Sequence, residues 1–183
     1  MKKLTYFIPL AVLLVVGGFS ILQLKQVSEG KSIRDLPSVL INREVPDFDL
    51  LALQGHDKGW GSQDLLGQVT IVNLFGSWCI ACLSEHPFLM QLKSQNLVPI
   101  YGIDWREKSL DAGPRWLAKY GNPYTKIGTD PDSKVAISFG VTGAPESFLV
   151  DKRGVIRYKQ IGAITPTVWK KTLWPLILEL RKQ

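Results

Sequence analysis

The two cysteines of this 183-residue chain are spaced Cys79-x-x-Cys82, and this pair constrains the fold more than any other feature. Residues 69–75 (VTIVNLF), just before it, are β-branched and aromatic, which is typical of a buried strand. Residues 83–93 (LSEHPFLMQLK), just after it, carry apolar side chains at helical spacing. The pair therefore lies where a strand leads into a helix. Unpaired N–H groups and the helix dipole stabilise a thiolate there, so the first cysteine is a candidate nucleophile.

Two other roles for the cysteine pair stay open at this point. A structural zinc ion takes four ligands, and only His56 and His86 could join the two cysteines; we expect His86 at the surface or at a helix end. A structural disulfide across so short a loop removes little entropy from the unfolded chain. Redox chemistry is therefore the leading hypothesis, with the cysteine pair as the redox group and no metal or separate cofactor.

The N-terminus predicts a membrane anchor. Residues 4–24 are almost entirely apolar and follow Lys2 and Lys3. Since about 20 such residues span a bilayer as a helix, we expect one uncleaved transmembrane helix within residues 1–24, with a cleaved signal peptide as the alternative. The two lysines favour a cytoplasmic N-terminus. The remainder then faces the periplasm from a single-pass protein of the bacterial inner membrane, where disulfide chemistry is permitted.

Beyond the anchor, the chain predicts one domain. Residues 25–43 are interpreted as a tether, and residues 44–183 have the size of one ordinary domain. The net charge of +6 is spread along the chain, so we do not expect nucleic-acid binding.

The order of the apolar runs predicts an α/β fold. The predicted strands after the cysteine pair cover residues 97–104, 146–151 and 155–161. The predicted helices after residue 93 cover residues 109–120, 133–139 and 165–181. Strands that alternate with helices and end in a hairpin predict a mixed sheet with helices on both faces.

Several separated motifs accompany the cysteine pair. Residues 140–151 are GVTGAPESFLVD, residues 82–87 are CLSEHP, residues 121–124 are GNPY and residues 45–48 are VPDF. Together with Trp78 before the pair, they resemble the thioredoxin fold. More narrowly, they are similar to the membrane-anchored thiol-disulfide interchange proteins of cytochrome c maturation, the CcmG/DsbE type. The resemblance covers nearly the whole chain.

This resemblance implies a periplasmic reductant. Proteins of this group accept electrons from a membrane thiol-disulfide donor and pass them to the haem-binding cysteines of apocytochrome c, directly or through a partner of the maturation machinery. By the same resemblance, Cys79 is the exposed attacking thiol, Cys82 is the resolving thiol, and Pro145 is a cis-proline in a substrate loop that faces them. Trp78 is expected to shield the cysteines and to form contact surface.

Two glutamates are candidates for tuning the dithiol. Glu85 lies three residues after Cys82, and Glu146 directly follows the expected cis-proline. Asn73 occupies the strand position where thioredoxins have a buried aspartate, so Glu85 is the candidate acceptor of the Cys82 proton. Alternatively, the negative charge of either glutamate disfavours the thiolates, or both are ordinary solvated side chains.

One residue departs from the family pattern, and two other functions stay open. Ile80 stands where the family has proline, and we expect it to alter the rigidity and polarity around Cys79 and thus the reduction potential. A thioredoxin-like reductase with other extracytoplasmic clients would share the dithiol and the fold. A non-catalytic module that only binds apocytochrome would not need Cys79 and Cys82.

Overall fold

A computed structural model describes residues 8–28 and 39–183 of the chain. Helix α1 (Ile8–Ser28) belongs to one compact unit and residues 39–183 to a second. Residues 1–7 of the predicted anchor and residues 29–38 of the predicted tether lie outside the described residues. Over the part of the chain that is described, no helix combines the length and the apolarity needed to cross a membrane.

The second unit is built on one six-stranded sheet. Its strands are β1 (Leu51–Ala52), β2 (Thr70–Phe75), β3 (Ile100–Trp105), β4 (Lys126–Asp130), β5 (Glu146–Val150) and β6 (Ile156–Ile161). The spatial order is β1-β4-β3-β2-β5-β6. Strands β2, β3 and β4 pair in parallel, whereas β1, β5 and β6 pair antiparallel with their neighbours. The predicted mixed sheet is confirmed.

Helices cover both faces of this sheet. They are α2 (Ile80–Ser94), α3 (Ala112–Tyr120), α4 (Lys134–Ser138), α5 (Pro166–Val168) and α6 (Trp174–Lys182), with a 3₁₀ turn at Ser62–Leu65 and a π-helical turn at Trp169–Leu173 between α5 and α6. Helices α2, α3 and α6 contribute Leu89, Trp116 and Ile177 to one apolar cluster. Helix α4 contributes Val135 to a second cluster.

Strand β2 divides these two clusters. Ile71 and Phe75 belong to the cluster beneath α2, and Val72 and Leu74 belong to the other. All six residues of β2 are buried. A strand that is covered on both faces needs apolar side chains on both, which explains why four of its six residues are large and apolar. Because α2 follows β2 after only four residues, the cysteine pair lies just beyond the carboxyl end of this central strand.

Strand β4 is the element that the sequence did not predict. Its sequence, KIGTD, contains one large apolar residue, Ile127, and no clear alternation. It forms because it pairs with β3 on one side and with β1 on the other. Neighbouring strands, rather than local preference, therefore determine its conformation.

Candidate active site

Cys79 and Cys82 form a disulfide at the N-terminus of α2, as their place between a strand and a helix predicts. Cys79 is the N-cap residue of the helix, and its Sγ accepts a hydrogen bond from the backbone N–H of Cys82 at 3.0 Å. After reduction the same N–H and the helix dipole stabilise a thiolate on Cys79. No such donor is described for the sulfur of Cys82, so the geometry favours Cys79 as the ionised thiol.

The expected exposure of Cys79 is wrong for the disulfide form. Cys79 is 5% exposed and Cys82 is 2% exposed, because the sulfur of Cys79 turns inward to the helix N-terminus. The exposed groups are their neighbours: the Ile80 side chain is 86% exposed and Trp78 is 43% exposed. Trp78 and Ile80 therefore supply the apolar surface around the disulfide.

The peptide bond between Ala144 and Pro145 is cis, as the resemblance implies. Pro145 is buried and precedes β5, where Glu146 pairs with Leu74 near the end of β2. Ala144 packs against the apolar cluster that contains both cysteines. The proline loop thus lies at the same end of the sheet as the disulfide.

Glu85 is buried, not solvated, with only 3% of its surface exposed. One carboxylate oxygen, Oε1, accepts from Asn73 Nδ2 at 3.0 Å, and Oε2 accepts from the backbone N–H of Ile164 at 2.7 Å. Burial raises the pKa of Glu85 to about 7, although these two hydrogen bonds act in the opposite direction. Near neutral pH the carboxyl group can therefore both take and release a proton.

Asn73 links this carboxylate to two further side chains. The Tyr124 hydroxyl donates to Asn73 Oδ1 at 2.8 Å, and Asn73 Nδ2 also contacts Ser147 Oγ at 2.9 Å. These contacts orient the amide so that its N–H₂ group points at Glu85. Sequence reasoning singled out Asn73 but missed Tyr124 and Ser147, which lie 51 and 74 residues away in the chain.

Glu146 is buried in a different environment. Its Oε1 accepts from the backbone N–H of Thr142 at 3.0 Å and from the Thr142 hydroxyl, so the carboxylate closes the loop around Pro145. Its other oxygen faces a lysine on β6, Lys159. A cation therefore balances the charge of Glu146, which supports a role in shaping the loop.

His86 is buried, so the expected surface position is wrong. It is 3% exposed, its ring packs edge-on against Trp116 with centroids 4.4 Å apart, and its Nε2 lies 3.0 Å from the Gly121 carbonyl oxygen. Burial lowers the pKa of His86, which keeps the ring neutral at pH 7. The residue packs α2 against α3 and its Nε2 is already engaged.

A disulfide at a helix N-terminus, beside a cis-proline loop on a mixed sheet of this order, defines a thioredoxin-like thiol-disulfide oxidoreductase. Comparison with solved structures agrees on the fold. A secreted thiol-disulfide isomerase from Corynebacterium glutamicum superposes with a TM-score of 0.63 over 76% of this chain and 86% of that one. At 24% sequence identity this likeness shows the fold alone.

Sequence comparison is more specific. Residues 41–172 match the Redoxin family. The thiol:disulfide interchange protein DsbE of Pseudomonas aeruginosa is 37% identical over 180 residues, which cover 98% of this chain and 96% of that protein. The DsbE protein of Escherichia coli K12 is 34% identical over 177 residues, 96% of this chain and 95% of that protein. The chain therefore belongs to the Redoxin family and, within it, to the DsbE thiol:disulfide interchange proteins.

Proposed function

We propose that this protein is a membrane-anchored periplasmic reductant that keeps the haem-binding cysteines of apocytochrome c, or of a maturation partner, in the thiol form. The main support for the exchange chemistry is the Cys79–Cys82 disulfide at the start of α2. Glu85 is buried one turn further along the same helix. The choice of client is supported by the resemblance of residues 82–87, 121–124 and 140–151 to the cytochrome c maturation group.

The first step is attack by the reduced protein on a client disulfide. The Cys79 thiolate, stabilised by the Cys82 N–H, forms a bond to one client sulfur. The client S–S bond breaks, and the second client sulfur leaves as a thiolate that takes a proton from solvent. The product is a mixed disulfide between Cys79 and the client.

The second step resolves this mixed disulfide. Cys82 loses its proton to the Glu85 carboxylate and attacks the sulfur of Cys79. The Cys79–Cys82 disulfide forms as the bond to the client breaks, and the client sulfur leaves as a thiolate that takes a proton from solvent. Both client cysteines are then reduced, and Glu85 returns its proton to solvent. Two electrons have moved from the protein to the client, so a membrane thiol-disulfide donor has to reduce the protein again.

Attachment to the inner membrane is part of the proposal. It is supported by the apolar sequence of residues 4–24 and by the match to DsbE proteins over nearly their full length. An anchored domain stays close to a membrane donor and to clients that emerge from the membrane, which raises its effective concentration there.

Replacement of the attacking thiol tests the choice of client. In cells that carry Cys79→Ser, we expect the protein to remain folded and covalent cytochrome c assembly to be lost, as seen by haem staining of membrane and periplasmic fractions. Cys82→Ser should retain clients as mixed disulfides that mass spectrometry identifies. Normal cytochrome c levels with Cys79→Ser would contradict the proposal, and trapping of unrelated proteins would favour a reductase with other clients.

A further inference from the structure

Two carboxyl groups lie at the end of β3, Asp104 within the strand and Glu107 two residues beyond it, and the exchange mechanism uses neither. Glu107 accepts hydrogen bonds from both donors of Ser77: the backbone N–H bonds to Oε1, and the hydroxyl Oγ lies 2.6 Å from Oε2. Ser77 is two residues before Cys79. Both oxygens of one half-buried carboxylate therefore hold the loop that leads into the disulfide.

The same segment also holds Trp78. Its indole Nε1 donates to the Trp105 carbonyl oxygen at 3.1 Å, and the two rings meet edge to face with centroids 5.8 Å apart. Gly76 permits this packing, because a Cβ there would lie 2.5 Å from Trp78 Nε1. The loop is thus fixed at two points near the end of β3. Glu107 binds the backbone N–H and the hydroxyl of Ser77, and the Trp105 carbonyl oxygen binds the Trp78 indole.

Asp104 is buried, with 2% of its surface exposed, and its carboxyl group interacts with that of Glu107. Burial, the charge of Glu107 and the hydrogen bond between the two groups raise the pKa of Asp104 to about 8. Helix α3 leaves room for this carboxyl group at Gly113, where a Cβ would lie 2.3 Å from Asp104 Oδ2. At neutral pH Asp104 therefore holds a proton that it can donate to Glu107.

No cation balances this carboxyl pair among the described ion pairs. The neighbours of Asp104 across the sheet, Phe75 and Thr129, carry no charge. Burial and then the charges of Glu85 and Asp104 raise the pKa of Tyr124, which stays neutral. Of the basic residues closest in sequence to Glu107, Arg106 lies over the Trp105 ring and Lys108 is exposed, and Arg115 on α3 pairs with Asp111.

We propose that Glu107 is a positioning residue for the dithiol loop and that protonated Asp104 keeps Glu107 in place. With one proton between them, the two groups carry a single negative charge that faces the Ser77 donors. When Asp104 loses its proton, two adjacent carboxylates repel each other, and the half-buried Glu107 turns towards solvent and releases Ser77. The inference rests on the proposed attack by Cys79 but not on the identity of the client.

The amide proton of Ser77 reports this contact directly in ¹H–¹⁵N spectra of the oxidised full-length protein in detergent, where no thiol titrates. In the wild type we expect a downfield resonance at pH 7 that moves upfield through a step near pH 8. Asp104→Asn should keep the downfield position without the step, because asparagine donates to Glu107 and does not titrate. Glu107→Ala should lose the downfield position at every pH. The exposed controls Asp132→Asn and Glu179→Ala should behave as wild type.

The reactivity of the reduced protein supplies the second measurement. We expect Glu107→Ala to lower the rate constant of the Cys79 thiolate with a small disulfide about tenfold, after correction for the ionised fraction. Glu107→Gln keeps an oxygen for the Ser77 amide and should recover most of the rate. An alkaline step that survives in Asp104→Asn, or a Glu107→Ala rate within about twofold of wild type, would overturn the proposal. If the Cys79→Ser protein still reacts with the disulfide, the proposed attack by Cys79 is wrong. The Ser77 resonance then still tests the contact between Ser77 and Glu107, because it is measured on the oxidised protein.

Discussion

Glu146 and Lys159 form a buried ion pair between β5 and β6, with the carboxylate Oε2 and the ammonium Nζ 2.9 Å apart. Only 1% of the Glu146 side chain and 8% of the Lys159 side chain are exposed. The contact is ionic rather than a directional hydrogen bond. Lys159 Nζ also donates to the Gly140 carbonyl oxygen at 2.7 Å, so the pair fixes both ends of the loop that carries the cis-proline.

Removal of the cation should therefore destabilise the protein strongly. Lys159→Met leaves the buried Glu146 carboxylate without a counter-charge, and we expect the free energy of unfolding to fall by about 3–5 kcal/mol at pH 7 in urea titrations. Lys134→Met is the matched control: its ion pair with Asp132 is exposed, and the change should stay within about 0.5 kcal/mol.

The two cysteines should differ in reactivity once the protein is reduced. Because the Cys82 N–H points at the sulfur of Cys79, limited iodoacetamide near neutral pH should label Cys79 before Cys82. Peptide mass spectrometry locates the label, and the oxidised protein should remain unlabelled. Earlier labelling of Cys82 would reverse the two roles.

Local patterns predicted the elements around the disulfide but not the contacts that join them. Strand β2 and helix α2 were predictable because each carries a strong apolar pattern, and the cis bond before Pro145 followed from a family motif. The contact between Ser77 and Glu107 spans 30 residues and has no local signal. It depends on β3 pairing beside β2, which only the assembled sheet defines.

The same limit applies to the charged residues. Glu85 was predictable as the acid near Cys82, but its partner Ile164 lies 79 residues further along the chain. Lys159 lies in the predicted strand at residues 155–161, where a lysine side chain is ordinarily solvated, yet only 8% of its side chain is exposed and it faces Glu146. Whether a charged side chain is solvated depends on what packs over it, and the packing comes from distant residues.

Membrane attachment yields a prediction about the N-terminus. If residues 4–24 anchor the protein, carbonate-washed membranes should retain the full-length chain with Met1 or its immediate neighbour in place. A soluble periplasmic form that begins near Ile21 would show instead that the segment is a cleaved signal. N-terminal peptide mass spectrometry of both fractions separates these outcomes.

The raised pKa of Glu85 makes folding stability depend on pH. The unfolded group titrates near 4.5 and the folded group near 7, so between these values the folded state binds more protons. The stabilising contribution of Glu85 to the free energy of unfolding is complete below pH 4.5 and is lost as the pH rises through 7. The total change is about 3 kcal/mol. Glu85→Gln should remove this part of the slope in urea titrations from pH 4 to pH 8. Glu179→Gln, at an exposed position on a helix, should leave the slope unchanged. The raised pKa of Asp104 acts in the same direction, but Asp104 is present in both proteins, so the difference between wild type and Glu85→Gln reports Glu85.

The same substitution tests the proton transfer from Cys82. If the Glu85 carboxylate accepts that proton, Glu85→Gln should slow resolution of the mixed disulfide at pH 7 by about tenfold or more. At pH 9 and above most of the rate should return, because Cys82 then ionises without help. Acid-quenched samples analysed by mass spectrometry follow the mixed disulfide over time.

A purely electrostatic role for Glu85 gives a different pattern in the same experiment. Loss of the negative charge would then lower the pKa of Cys79, speed the first step near neutral pH, and leave resolution nearly unchanged. Glu179→Gln again serves as the exposed control, since it changes the same charge far from any described contact with the cysteines. Because proton transfer acts on the second step and charge acts on the first, the step whose pH profile moves identifies the role of Glu85. Unchanged profiles in both steps would contradict either role.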